Sequence, residues 1–421
     1  MTMKDLIKFL NNSPTAFEAV ESITKILKEN AYIELKEEEK FTIKKGGKYY
    51  VSRNGSSLIA FNIGRKLNDP SLQISASHGD CPSFKIKPES IIFEDGYLKL
   101  NTEVYGGALF YPWLDRPLSI AGRLVVKNKR GEIKTRNYVH GRPFCLIPSE
   151  AIHMNRKAND ELKLNAQIDM LPICALKKKD LKEYLEEDTG ENILTYDLYL
   201  YPLQNAYVWG MDDEFVSSFH LDDLECVYTC LKGFVNTFND DNINVYCCFD
   251  NEEVGSLTRQ GAASDFLEST LRRVCESLKI DYYVLNARGM MLSCDNAQGL
   301  HPNHPEKADL TNRPMLNKGI VIKYNANQSY TSDALSSAIF KDLLDRNRIP
   351  NQYFANRSDI RGGSTLGNIS NSHVSLLSVD IGLPQLAMHS ILETAGTRDA
   401  GYMIKGIKAF YKAHLKGNTL K

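Results

Sequence analysis

The chain has 421 residues, enough for two or three domains or for one large domain carrying an insertion. A formal net charge of −1 leaves no electrostatic footprint for nucleic acid or an anionic membrane surface, and 43% apolar with 24% charged residues is an ordinary globular balance. The nine cysteines contain no CxxC pair, which excludes a legible disulfide framework and points to a reducing, cytoplasmic setting.

In chain order, Lys4, Asp5 and Lys8 interrupt the first apolar stretch, which argues against a signal peptide. No window of about 18 uninterrupted apolar residues offers a membrane span. A helix is predicted over 14–29: Ser13 is a good N-cap, Pro14 suits the first helical position, and Phe17, Val20, Ile23 and Leu27 share a face. A strand–turn rhythm fills 41–80, through KYYVSR and SLIAFNIG to LQISASHGD. From 84 to 215, short β-like runs (YLKLNTEVY, SIAGRLVVK, LTYDLYLYPL) alternate with polar turns and the charged stretch KKKDLKEYLEEDTGEN. That predicts a separate β-rich domain.

From 216 onward, apolar strands alternate with amphipathic helices. INVYCCF, DYYVLNA and VSLLSVDIG predict strands buried on both faces, and 261–279 and 333–346 predict helices packed against them. The expected fold is α/β. A mainly parallel sheet sandwiched by helices is built from 1–83 and 216–421, with 84–215 inserted.

Five places that could carry chemistry each follow an apolar strand-like run. His78 and Asp80 follow LQISAS, Asp222 sits in FHLDDLE, Glu252 and Glu253 follow VYCCFDN, Asp295 lies in MLSCDNA, and His389 in PQLAMHS. Ligands of open α/β sheets bind beyond the carboxyl ends of the strands, so these groups can converge without a local motif. Two imidazoles and three carboxylates, with no thiolate, suit Zn²⁺ or Mn²⁺. One carboxylate shared between two cations would make a two-metal hydrolytic site. Consecutive side chains point apart, so one of Glu252 and Glu253 can ligate while the other faces the nucleophilic water as general base. Asp80 is close enough to orient His78. Each feature also has an ordinary explanation: EE pairs are usually solvated, His–Asp neighbours are often structural, and LDD commonly caps a helix. It is their shared placement after buried strands that separates them from these.

The same segments resemble the M18 metallopeptidases, the aspartyl aminopeptidase family, from end to end. SPTAFEAV, SASHGDCPSFKIKP, YGGALFYPWLDRPLSIAGRL, IPSEAIHMNR, FHLDDLE, FDNEEVGSLTRQGA, SCDNAQGLHPNHPEK, VIKYNANQSYTSDA, RGGSTLG and GLPQLAMHSILETAGT follow in family order. The resemblance implies that Asp222 bridges two zinc ions, with His78 and Asp295 completing one and Glu253 and His389 the other. It makes Glu252 the catalytic base and Asp80 the support of His78. His153 matches a histidine that reaches into a neighbouring subunit's site, where it could stabilise the oxyanion. Lys323 and Tyr330 match the pocket that receives an acidic side chain. A zinc-exopeptidase domain with an inserted dimerisation and lid domain, assembled as a dimer-based dodecamer, is implied as well.

The chain departs from the family pattern in places. Asp223 follows the bridging Asp where Asn is usual, His220 stands where Arg is common, Gln298 occupies a position usually held by His, and YPWLD replaces an H.W.D pattern. These bear on substrate preference and rate more than on reaction class. The expected function is a two-zinc aminopeptidase of the cytoplasm that removes an N-terminal residue, Asp or Glu preferred, from peptides; Mn²⁺ or Co²⁺ are alternative metals. Rival readings are a dinuclear amidohydrolase of acylated amino acids and a non-catalytic peptide-binding or assembly protein. No nucleic-acid or membrane partner is expected.

Overall fold

The structure is a computed structural model, and it describes residues 3–235 and 237–421. Among these, the strands form a nine-stranded sheet, a six-stranded sheet, a five-stranded sheet and a two-stranded ribbon. No helix among them is long and apolar enough to cross a membrane.

The nine-stranded sheet positions most of the site. Its order is Ile33–Leu35, Lys48–Arg53, Ser57–Ile63, Asn242–Phe249, Ser71–His78, Gly289–Cys294, Leu377–Gly382, Ile320–Tyr324 and Asn351–Ala355. Asn242–Phe249, Ser71–His78, Gly289–Cys294 and Leu377–Gly382 run parallel. The antiparallel pairs lie to either side of this block, so the sheet is mixed with a parallel centre. Every residue of Ser71–His78, Asn242–Phe249 and Gly289–Cys294 is buried, as covered faces require of a parallel sheet. One apolar core, around Leu231, Tyr246 and Phe410, covers one face; another, around Phe61, Val245 and Phe266, covers the other.

Helices Leu221–Phe234 and Asp399–Lys412 pack together on the first face. On the second, helix Phe266–Leu278 buries Phe266, Leu267, Leu271 and Val274, an i, i+4 stripe read in the sequence. Helix Ala334–Arg346 is started by a reciprocal cap, in which the Asp333 carboxylate accepts from Ser336 N while the Ser336 hydroxyl accepts from Asp333 N.

The six-stranded sheet comes from residues 83–202, in the order Ile133–Val139, Leu118–Lys127, Ile193–Pro202, Ser83–Glu94, Tyr97–Tyr105 and Ile173–Ala175. Its pairings are antiparallel, and it packs around Trp113, Phe84 and Leu198, a core that Phe219 and Ile391 also enter.

Local structure differs from expectation in three places. The helix predicted over 14–29 runs Ala16–Glu29 and is capped by Thr15, whose hydroxyl accepts from Phe17 N, so Ser13 and Pro14 lie before the helix. A preceding helix, Met3–Asn11, hides behind its lysines and buries Leu6, Phe9 and Leu10. DYYVLNA does not form a strand. Asp281 caps it by accepting from Val284 N at 3.0 Å, making Tyr282–Ala287 a short helix with Tyr283 and Val284 exposed; the strand follows at Gly289–Cys294. An Asp cap favours a helical turn more strongly than apolar periodicity resists it over so short a run.

Candidate metal centre

The parallel centre of the sheet brings three of the five segments to one rim. Phe249 pairs with His78 across neighbouring strands and Ser293 with Ala76, so His78, the Glu252–Glu253 turn and Asp295 emerge side by side. Asp222 arrives differently. It follows strand Phe215–Ser218 at the start of helix Leu221–Phe234, and that strand pairs antiparallel with Glu393–Gly396, Ser218 opposite Glu393. His389 stands in the connection between Pro384–Leu386 and Glu393–Gly396, with φ +67°.

These residues converge. One ligand atom each from His78, Asp222 and Asp295 lie within 4.8 Å of one another, and so do atoms from Asp222, Glu253 and His389. Asp222 is common to both groups: its Oδ1 lies 3.5 Å from His78 Nε2 and its Oδ2 3.7 Å from His389 Nε2. His389 Nε2 lies 3.4 Å from Glu253 Oε1, and Glu252 Oε2 is 4.0 Å from His78 Nε2.

Surrounding groups hold each candidate ligand. His78 Nδ1 lies 3.1 Å from the Asp80 carbonyl oxygen, closer than the 3.5 Å to the Asp80 carboxylate. The Asp80 carboxylate instead accepts from the backbone N–H of Glu252 (3.1 Å) and Glu253 (3.2 Å) and from the Tyr105 hydroxyl (2.7 Å). It therefore ties the glutamate turn to the histidine strand. Glu393, also buried, accepts from Asp222 N at 2.9 Å through one oxygen and from His389 N at 2.7 Å through the other. Lys323 donates to Asp295 Oδ2 (3.2 Å) and to the carbonyls of Asp295 (2.9 Å) and Asn296 (3.3 Å). Gly106 and Gly107 of the YGG run close the site from the other side. Gly106 has φ +70° and its added Cβ would lie 3.1 Å from that of Glu253, while the Gly107 carbonyl lies 3.1 Å from His389 Nδ1.

The electrostatics are those of too many acids in too little water. Burial pushes Glu252 up to about 8, with Asp295, Asp80 and Asp222 adding to it and His78 opposing. Burial likewise takes Asp295 to about 6, although Lys323 pulls it down. Glu253 and Glu393 rise for the same first reason, with Asp222 next. Burial drags the His78 imidazole down, but Asp222 and Asp80 outweigh it and the net shift is upward. Burial also raises Asp223, favouring a neutral carboxyl that resembles the amide usually found there; its Oδ2 accepts from His78 N at 3.2 Å. His220 is buried and pushed down to about 3, a neutral ring where the pattern usually has a cation.

The donor set fits a bound cation. Buried anions are costly unless paired, and Asp222 Oδ1 is buried without a hydrogen-bond partner. Imidazole and carboxylate ligands match zinc. Lys323 and Tyr330 line the same cleft, although the Lys323 ammonium is engaged by Asp295. Gln298 lines it too. His153 does not: it is exposed on a turn-rich segment of the 83–202 portion. Sequence reasoning missed Glu393, Tyr105 and Gly107. Only Glu393 left a signal, an acid in the apolar run following His389.

A family model described as Aminopeptidase I zinc metalloprotease (M18) matches residues 9–411. A probable M18 family aminopeptidase 2 of Clostridium novyi (strain NT) is 45% identical over 422 residues, spanning 97% of this chain and 98% of its own. Among solved structures, the chain is similar to one in a complex of Ape4 and Nbr1, with TM-score 0.92, 31% identity, and 97% of this chain and 85% of that one covered. It is also similar to the S. cerevisiae mApe1 dodecamer, with TM-score 0.85, 28% identity, and 97% and 95% of the two chains covered.

Proposed function

The chain belongs to the M18 family of zinc aminopeptidases, and from that premise we propose that it is a two-zinc enzyme removing the N-terminal residue, with Asp or Glu preferred, from peptides in the cytoplasm. The observation that carries this reading is the carboxylate of Asp222 standing between two imidazoles, shared by two sets of potential ligands. In it, His78, Asp295 and Asp222 would hold one ion, and Asp222, Glu253 and His389 the other. When bound there, zinc would supply Lewis acidity and lower the pKa of a water.

The chain's own groups do the rest. Glu252, desolvated and surrounded by acids, is a stronger base than a solvated glutamate; it takes the water's proton and returns it to the leaving amine. Asp80 keeps Glu252 and His78 in mutual register, and Glu393 does so for Asp222 and His389. Lys323 holds Asp295 in place, and Tyr330 borders the space for the N-terminal side chain. Residues 1–83 and 216–421 act as the catalytic domain. The insertion over 84–215 serves as dimerisation and lid domain, a division supported by the separate six-stranded sheet of 83–202, while Tyr207–Trp209 joins the five-stranded sheet. A homo-oligomer built from dimers, a dodecamer like that of the yeast relative, brings His153 to a neighbour's site.

Purified protein given a free peptide and its N-acetylated form, with and without chelator, tests this. Hydrolysis of the free peptide alone, abolished by chelation and restored by zinc, is expected. Cleavage of the acetylated form would make the enzyme an amidohydrolase instead, and zinc-loaded protein inert to both would remove catalysis from the account.

A further inference from the structure

The cleft that holds the candidate metal centre extends past Tyr330 to the loop over 356–364, and a lysine and an arginine line it, Lys323 and Arg361. They are in opposite states. Lys323 is 2% exposed, and its three ammonium protons face three acceptors, the Asp295 carboxylate and the carbonyls of Asp295 and Asn296. It has no donor left for a substrate. Arg361 is exposed and has no hydrogen bond or ion pair among the described residues. The neighbouring Arg357 is spoken for, since its Nε donates to Asp359 Oδ1 at 2.7 Å and its Nη1 to the Glu306 carbonyl.

The loop that carries Arg361 is anchored at both ends. Arg357 ties one end to Asp359 and Glu306. At the other, the buried Thr365 donates its hydroxyl proton to Asp380 Oδ1 at 2.6 Å. Between them Gly362 packs on the Asn356 side chain, where an added Cβ would stand 2.3 Å from Oδ1. An anchored turn thus presents one unpaired guanidinium to the cleft, beside the neutral polar groups of Asn356, Ser364 and Gln298.

We propose that Arg361 is the specificity-determining residue for an acidic N-terminal side chain, pairing its planar fork with the substrate's Asp or Glu carboxylate. The proposal rests on the aminopeptidase reading and deepens it. Lys323, in this account, acts on Asp295 and is a positioning residue. A guanidinium suits the task because two parallel N–H donors match one carboxylate, and because its charge survives at any working pH. The substrate carboxylate is the partner it lacks in the free chain.

The test is the ratio of kcat/KM for glutamyl over alanyl reporter amides, measured in the zinc-loaded wild type and in Arg361→Ala, Arg361→Lys and Arg361→Glu. The wild type is expected to favour the glutamyl substrate. Arg361→Ala should lower the ratio about tenfold to a hundredfold, mainly through KM for the glutamyl substrate. Arg361→Lys should restore part of it, and Arg361→Glu should shift preference towards lysyl substrates. A folded, zinc-containing Arg361→Ala variant with an unchanged ratio would overturn the assignment and leave the aminopeptidase reading standing. So would a loss seen only with dipeptides carrying a free C-terminal carboxylate, since Arg361 would then hold the leaving peptide. A wild type that prefers alanyl reporters overturns the assignment outright. One that cleaves neither reporter overturns the aminopeptidase reading and the assignment with it.

Discussion

At the scale of the residue, the account turns on buried acids whose company differs. Glu252 lies against His78 with its backbone held by Asp80, so its carboxylate is aimed without being consumed. Glu252→Gln keeps the shape and loses the base; it should fold, retain zinc and drop kcat by about 10²–10⁴-fold, as read by steady-state kinetics alongside metal analysis. Near-normal turnover would take the role from Glu252. Glu18 is a buried acid away from the chemistry. It accepts from the Thr15 hydroxyl through one oxygen and has no partner at the other, and burial pushes it up to about 8 from 4.5. A carboxyl raised in the folded state binds its proton more tightly there than in the unfolded chain. Its contribution to stability is therefore complete below about pH 4.5 and is lost as pH climbs to about 8. Glu18→Gln has no proton to lose. Its Tm relative to the wild type should rise from pH 5 to pH 8, and parallel profiles would show that Glu18 does not titrate as described.

At the scale of the element, the site is an outcome of strand direction. His78, Glu253 and Asp295 were legible because each follows an apolar run, and such runs are buried parallel strands that end at a common rim. Asp222 and His389 were less so, since their places depend on the five-stranded sheet pairing Phe215–Ser218 with Glu393–Gly396 and on a left-handed backbone at His389. The specific metal role of each of the five came from family resemblance. Glu393 left only an acid in an apolar run as its signal: its function lies in accepting two backbone N–H groups 171 and 4 residues away, a contact no spacing announces. DYYVLNA misled for a local reason, the Asp281 cap. Lys323 was found through the family resemblance, which does not reveal that Asp295 already holds it. Glu393→Gln replaces one of two acceptor oxygens with a donor, so it cannot serve both Asp222 N and His389 N. It should keep the fold and weaken zinc binding about 10–100-fold in a chelator competition titration, with unchanged affinity as the contrary result.

At the scale of the whole molecule, the 83–202 portion supplies a wall of the site and exposes apolar side chains. It exposes Ile152 (49%) and Met154 (82%) on either side of His153 in sequence, and also Ile168 (74%), apolar side chains that suit contact with another copy. If His153 serves a neighbour, His153→Ala and Glu252→Gln chains, each feeble alone, should regain activity when dissociated and reassembled together; no recovery would confine His153 to its own subunit. All of this depends on cations lying where the acids and imidazoles meet. Anomalous diffraction at the zinc edge from crystals of the assembled protein should show two peaks about 3.5–4 Å apart, one beside His78 and Asp295 and one beside Glu253 and His389, with Asp222 between them. A single peak, or zinc bound only elsewhere on the chain, would contradict the account.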